Sequence, residues 1–255
     1  MVTLKVKTDS LNLRRSPEIK DGNIITSLPF AQAVEVIEGN QANRFWEVTT
    51  IVNGSVLKGF VSAAFLRQPV SAAKEALISA AVKEWLRFEQ GDKKEHQDPQ
   101  YKYIGEYWSK IGLNLNGRNR DIPWSAAFIS FVARAAGYND FKFDAAHSTY
   151  VYDAVDKRKS NITAAPFWGF KINEHKPQLG DLVCRWRINP ITSIDSLPSG
   201  GFKSHCDIVV EIRDTEVRTL GGNVSDSVSI TAYSLNSGGF LKPDNDVYGI
   251  LRNNF

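Results

Sequence analysis

Hydrophobic and polar positions change period twice along the chain. As far as residue 68, apolar residues alternate with polar ones in short runs. These are "VTLKVKT", "SLNLRRSP", "NIITSLPF", "AVEVIEG", "RFWEVTTI" and, after Asn53-Gly54, "LKGFVSAAFL". A period of two punctuated by an Asn-Gly turn predicts antiparallel strands joined by hairpins. So small an all-β unit hides its edges by closing into a barrel. From Ser71 the spacing becomes helical, with Leu77, Ala80, Ala81, Trp85 and Phe88 on one stripe, until the polar run "EQGDKKEHQDPQ". A second helix is expected over "YIGEYWSKIG". A third begins at Ser125, its stripe of Phe128, Ile129, Val132, Ala135 and Ala136 ending at Gly137, and a fourth covers "HSTYVYDAVDKRKS". Beyond residue 165 alternation returns in "LGDLVCRWRI", "SHCDIVVEIR", "EVRTLGGNV", "SVSITAYSL" and "VYGILRN". Helices first and antiparallel strands afterwards describe an α+β domain. The pattern thus predicts an all-β domain over 1–68, a linker over 69–75 and an α+β domain over 76–255.

Composition narrows the partners. An apolar content of 42% and a charged content of 23% are ordinary for a globular protein. A formal charge of +3 and the lack of a basic recognition helix exclude nucleic acid as a partner, while leaving an anionic polymer such as cell wall compatible. No apolar run approaches the roughly 20 residues of a membrane span. The opening "MVTLKVKTDSLNLRRSP" lacks the apolar core of a signal peptide. That leaves a cytoplasmic protein, one exported by another route, or a mature form. Cys184 and Cys206 make neither a disulfide framework nor a four-ligand metal set. Both alternate with apolar neighbours and read as buried small residues rather than nucleophiles.

Several spaced elements carry a family resemblance. "LNLRRSP", "VEVIEG", "FWEV" and "GFVSAAFL" resemble a bacterial SH3 domain over residues 3–67, which implies peptidoglycan binding or packing on a catalytic partner. In the second half, "WSAAFISFVARAAG", "KPQLGDLVCRW", "SHCDIVVEI" and "RTLGGNV" occur in the order of the papain-like peptidoglycan amidases and endopeptidases of the CHAP and NlpC type. "WSAAFIS", "AHSTY" and "HCDIVV" together resemble the bacterial domain of unknown function 2272, over roughly residues 75–253. The resemblance implies a papain-like α+β fold, helices packed on an antiparallel sheet. It also implies hydrolysis of an amide in wall stem peptides, without metal or cofactor.

Within that frame Ser125 occupies the position where the resembled enzymes carry a cysteine. At a helix N-terminus it meets unpaired backbone N–H groups that suit an oxyanion, but a serine also needs a positioned base. It is equally a preferred helix N-cap, and both readings stand. Alternation places His205 and Asp207 on one face of their strand. The expected base is therefore His205, oriented by Asn223, the analogue of the family's polar third residue, or by Asp207. Trp124, His147 and Trp186 are expected to line the groove, His147 having a packing role as its alternative. His147, His205, Asp207 and Asp181 are metal-ligand types without metal-ligand spacing, so no metal is expected. A wall glycosidase would draw on Glu84, Glu106 or Asp121, although its spacing makes Glu84 a solvated helix-face residue. A catalytically inactive wall-binding module is the remaining alternative. A wall hydrolase without a signal peptide would be delivered by lysis or by a contact-dependent secretion machine, with an immunity protein as partner. All this requires a hydroxyl from the helical half and an imidazole from the sheet half to share one crevice.

Overall fold

The computed structural model describes residues 2–39, 44–243 and 246–255 and divides into two compact units, Met1–Glu75 and Ala76–Phe255. Residues 69–75, expected as a linker, belong to the first unit, and the division falls inside a helix.

In the first unit, β1 (Val2–Val6), β2 (Leu11–Arg14), β3 (Ile24–Leu28), β4 (Ala33–Glu38), β5 (Phe45–Val52), β6 (Ser55–Ser62) and β7 (Leu66–Arg67) form one antiparallel sheet, ordered β3-β2-β6-β5-β4-β1-β7. The alternating positions Leu4, Val6, Leu11, Leu13, Leu28, Val34, Val48 and Val61 gather into a single core. Asn53 and Gly54 are both left-handed (φ 50° and 79°), the conformation of a two-residue hairpin turn, and Val52 pairs with Ser55 across it.

The second unit is α+β. Its helices are α1 (Ala72–Arg87), α2 (Gln100–Ser109), α3 (Ser125–Ala135) and α4 (His147–Lys159). Its strands are β8 (Phe167–Phe170), β9 (Leu182–Trp186), β10 (Ser204–Ile212), β11 (Glu216–Val224), β12 (Ser227–Ser234) and β13 (Val247–Asn253), ordered β12-β11-β10-β9-β13-β8 and antiparallel throughout. Helix α3 packs on β10 and β11, α4 on β8 and β10, and α2 on α3. Among the described residues no helix is long and apolar enough to cross a membrane.

Two elements depart from expectation. Helix α2 starts at Gln100 rather than Tyr103 and stops at Ser109. Strand β8 was not anticipated: "FWGF" is four residues long, follows Pro166 and pairs only with β13 at the sheet edge. Glu84 is no solvated face residue either. It is 2% exposed, and its carboxylate accepts from the Tyr107 hydroxyl at 2.6 Å and from Arg87, which also pairs with Glu106. Burial and the Glu84 charge together push the Tyr107 hydroxyl well above the ordinary tyrosine range, so it stays a donor.

Removing the Glu84 carboxylate leaves the buried Tyr107 hydroxyl without its acceptor and Arg87 with Glu106 alone. Glu84→Ala is expected to destabilise the second unit by about 3 kcal/mol. Urea unfolding followed by tryptophan fluorescence checks this, since five of the six tryptophans lie beyond residue 75. An unchanged midpoint would contradict it.

Candidate functional site

The turn entering α3 is anchored from behind. Trp124 is the N-cap of α3 and makes no side-chain cap bond; its carbonyl accepts the first helical N–H, that of Phe128, at 3.0 Å. The indole is buried, donates to Glu95 Oε2 at 2.6 Å and stacks on Phe88 with 5.9 Å between ring centroids. Glu95 is fixed in turn, because its N–H donates to the Asp226 carbonyl in the β11–β12 turn. Gly222 gives the indole room: a Cβ there would lie 2.8 Å from the Trp124 ring and 2.5 Å from Phe128 Cβ. Trp124 is therefore an anchor, and the expectation that it lines the groove is corrected.

Ser125 is the first residue of α3, not its cap, which removes the capping reading. Its Oγ lies 2.6 Å from His147 Nε2, and both residues are 5% exposed. His147 opens α4, and a single buried serine fixes where that helix begins. Ser130, on the second turn of α3, donates to the Asp144 carbonyl and accepts from the Asp144 N–H, both at 3.0 Å. The other ring nitrogen, Nδ1, contacts the hydroxyl of Tyr150, one turn further along α4. Burial holds that hydroxyl well above the ordinary tyrosine range, so it keeps its proton. In the tautomer that carries its proton on Nδ1, the phenol oxygen accepts Nδ1–H and His147 Nε2 presents a lone pair to Ser125.

His205 is placed differently from the expectation. Its ring is fully buried, with Nε2 donating to Asp207 Oδ1 at 2.6 Å while Nδ1 accepts from Arg187 at 3.0 Å. Asp207 Oδ2 accepts from the Tyr233 hydroxyl at 2.6 Å. Both imidazole nitrogens are thus occupied, and the partner of Ser125 is His147. The two imidazoles touch, 5.4 Å between ring centroids. Asp207 rather than Asn223 bonds His205. Asn223 sits in left-handed backbone (φ 56°) at the β11 bulge and borders the cavity instead. Gly221 makes the Asp207 contact possible, since a Cβ there would fall 1.7 Å from its Oδ1.

Charge states follow from burial. Burial, then the neighbouring His205, hold the His147 imidazole well below its ordinary range against the pull of Asp207, so it is neutral at pH 7. His205 is lowered by burial despite Asp207. Burial would raise the Asp207 carboxyl, but His205 and the Tyr233 hydroxyl outweigh it and leave Asp207 ionised.

A cavity of about 540 Å³ opens onto this arrangement, bordered by Ser125, His147, Arg187, Phe202, Lys203 and Asn223 among others. Trp186 is partly buried and borders neither this cavity nor the adjoining one, so its groove-lining assignment is also corrected. The second cavity, about 440 Å³, shares Pro123 and Asn223 with the first and is bordered by Glu95, Asp121 and Asp226. Asp181, the remaining metal-type residue, is fully buried and bound to His175 at 2.8 Å. Among the described residues no three His, Cys, Asp or Glu side chains come together in a way that could hold a metal ion. Cys184 and Cys206 are buried free thiols opposite each other on β9 and β10, their sulfurs 3.0 Å apart. Burial raises the Cys184 thiol well above its ordinary range.

The contribution of His147 was masked in the sequence because it lies 22 residues from Ser125 on a separate helix. The usable signal was its place at a helix start in "AHSTY", with Tyr150 one turn on.

Comparison with curated proteins finds no match. Two solved structures are similar at low identity. NlpC2 from Trichomonas vaginalis is 11% identical with a TM-score of 0.34, over 99% of this chain and 73% of that chain. NlpC1 from the same organism is 9% identical with a TM-score of 0.27, over 94% and 69% respectively. Residues 94–253, more than half of the sequence, match the profile of the family described as "Uncharacterized protein conserved in bacteria (DUF2272)", and the chain belongs to that family.

Proposed function

We propose that the second unit hydrolyses an amide bond in the stem peptides of peptidoglycan, with Ser125 as nucleophile and His147 as its base. The observation that carries this reading is the 2.6 Å contact between Ser125 Oγ and a neutral, buried His147 Nε2 on the wall of a substrate-sized cavity. Ser125 Oγ attacks the carbonyl carbon as its proton passes to His147 Nε2. The oxygen of the tetrahedral intermediate is stabilised by backbone N–H groups in the uncapped first turn of α3. His147, now cationic, is steadied by Tyr150 and by the nearby Asp207 charge, and returns its proton to the departing amine. Water then hydrolyses the seryl ester, with His147 again as base, and Ser125 is regenerated.

The wall substrate is supported by the motif order shared with CHAP and NlpC amidases and by the SH3-like pattern of the first 68 residues. A glycosidase fits the geometry less well. Glu84 and Glu106 are tied to Arg87, and among the described residues no carboxylate borders the cavity at Ser125; Asp121 borders only the adjoining one. An inactive binding module has no need of a serine hydroxyl held against a neutral imidazole.

Digestion of purified sacculi, with products identified by mass spectrometry, is expected to yield new amino groups and no new reducing ends. Ser125→Ala and His147→Gln should each lower kcat by about 10²–10⁴-fold. His205→Gln should retain more activity than His147→Gln. The opposite ranking would restore His205 as the base, and sacculi left intact by wild type would end the hydrolase reading.

The pH profile follows from the charge states. A base whose pKa is depressed stays neutral as pH falls through the ordinary imidazole value of about 6.5. The acid limb of kcat/KM is therefore expected below pH 6.5. A limb at or above that value would show that the working base is not the buried His147. Stability shares the sign: below pH 6.5 the unfolded chain binds protons that the folded His147 refuses, so folding weakens as pH falls.

A further inference from the structure

We propose that Arg187 and Lys203 form a carboxylate subsite beside Ser125, so that the amide hydrolysed is one with a free carboxylate a few atoms from its carbonyl. The inference rests on Ser125 being the nucleophile and adds the chemical class that the cavity selects.

Both cations border the same cavity as Ser125 and His147, and among the described residues no carboxylate borders it. They are neighbours just past the paired ends of β9 and β10, where the Arg187 N–H donates to the Lys203 carbonyl at 3.1 Å. Arg187 commits one guanidinium nitrogen to His205 Nδ1 and, among the described residues, forms no ion pair. Among the described residues the Lys203 ammonium has neither ion pair nor hydrogen bond. Among the described residues Arg185, two residues before Arg187, also lacks an ion pair, and its buried Nε has no partner. The ionised carboxylate that acts on this group is Asp207, and its oxygens are already taken by His205 and Tyr233. Arg185 and Arg187 thus draw on one buried carboxylate, and burial together with Arg185 makes the charged form of Arg187 costly. A partly desolvated guanidinium with free N–H donors is a preorganised receptor for a carboxylate, and binding one relieves that strain. The adjoining cavity gives direction. Glu95, Asp121 and Asp226 border it against Arg120 and His96, so carboxylates outnumber cations there and a substrate carboxylate is favoured at Arg187 and Lys203.

Lys203 is the clean position to test, because its side chain supports nothing else, whereas a change at Arg187 also disturbs His205. The probes are a disaccharide–pentapeptide muropeptide and the same molecule with its carboxylates amidated, offered to the full chain. Wild type is expected to favour the free-carboxylate probe by about tenfold or more in kcat/KM. Lys203→Glu should cut kcat/KM on that probe by about ten- to a hundred-fold through KM, with a loss several-fold smaller on the amidated probe. Lys203→Arg should restore the preference. Equal effects of Lys203→Glu on the two probes, or none on either, would overturn the subsite. A second arm separates this from the hydrolase reading: calorimetric binding of the two probes to Ser125→Ala. If wild type turns over neither probe, the catalytic proposal has failed and binding alone judges the subsite. Preferential binding of the free-carboxylate probe, weakened by salt, then upholds it, and equal or absent binding refutes it.

Discussion

The hydrogen bond between Ser125 and His147 exists only because two helix starts, 22 residues apart in sequence, are brought to the same point. Neither start is fixed by its own cap, since neither Trp124 nor Ala146 makes a side-chain cap bond. Tertiary partners do the work instead. Glu95 holds the Trp124 indole, and Ser130 clamps both backbone groups of Asp144 ahead of α4. Leaving the first N–H groups of α3 without a side-chain partner costs helix stability, and it keeps those donors available where a developing negative charge would need them.

The two imidazoles share a buried environment yet are given different work by their hydrogen bonds. His205 has both nitrogens satisfied by an anion and a cation, so it is locked in one tautomer. His147 has a phenol on one side and a hydroxyl on the other, so its proton can move. Burial and nearby positive charge disfavour protonation of His147 in the resting state, which also disfavours the thiolate–imidazolium ion pair on which a cysteine nucleophile relies. A serine asks for the reverse: a neutral base that gains its charge only as the nucleophile attacks. The residue at position 125 and the electrostatics of position 147 are therefore matched.

Alternation and helical spacing made most elements legible, including the starts of α3 and α4 and the pairing of His205 with Asp207 on one strand face. What escaped was set by long-range partners. Strand β8 is short and lies at an edge, so it leaves almost no periodic signal. Glu84 has the spacing of a surface residue, but Arg87 and Tyr107 make its burial tolerable. Trp124 beside a nucleophile position reads as a groove wall until Glu95, 29 residues earlier, supplies an acceptor on the far side. The hydrogen-bond partner of Ser125 escaped for the same reason. Strand alternation identifies which residues share a face but not which helix terminus approaches it, and here that is decided by the Ser130–Asp144 clamp.

Strand β10 supports the imidazole of His147 through successive residues. His205 contacts the ring directly and is itself tied to Asp207, while Cys206 neighbours Tyr150, whose hydroxyl holds the other ring nitrogen. A strand can serve both roles only in one register, because a shift by a single residue exchanges the polar pair for the thiol. The register is fixed by five consecutive pairs with β9, from Ser204–Trp186 to Ile208–Leu182, with Cys206 directly opposite Cys184. The buried thiols thus have a steric reason for being small. A larger side chain at either position would press the strands apart beside Tyr150, and the orientation of the His147 ring would be lost without any change to Ser125 or His147.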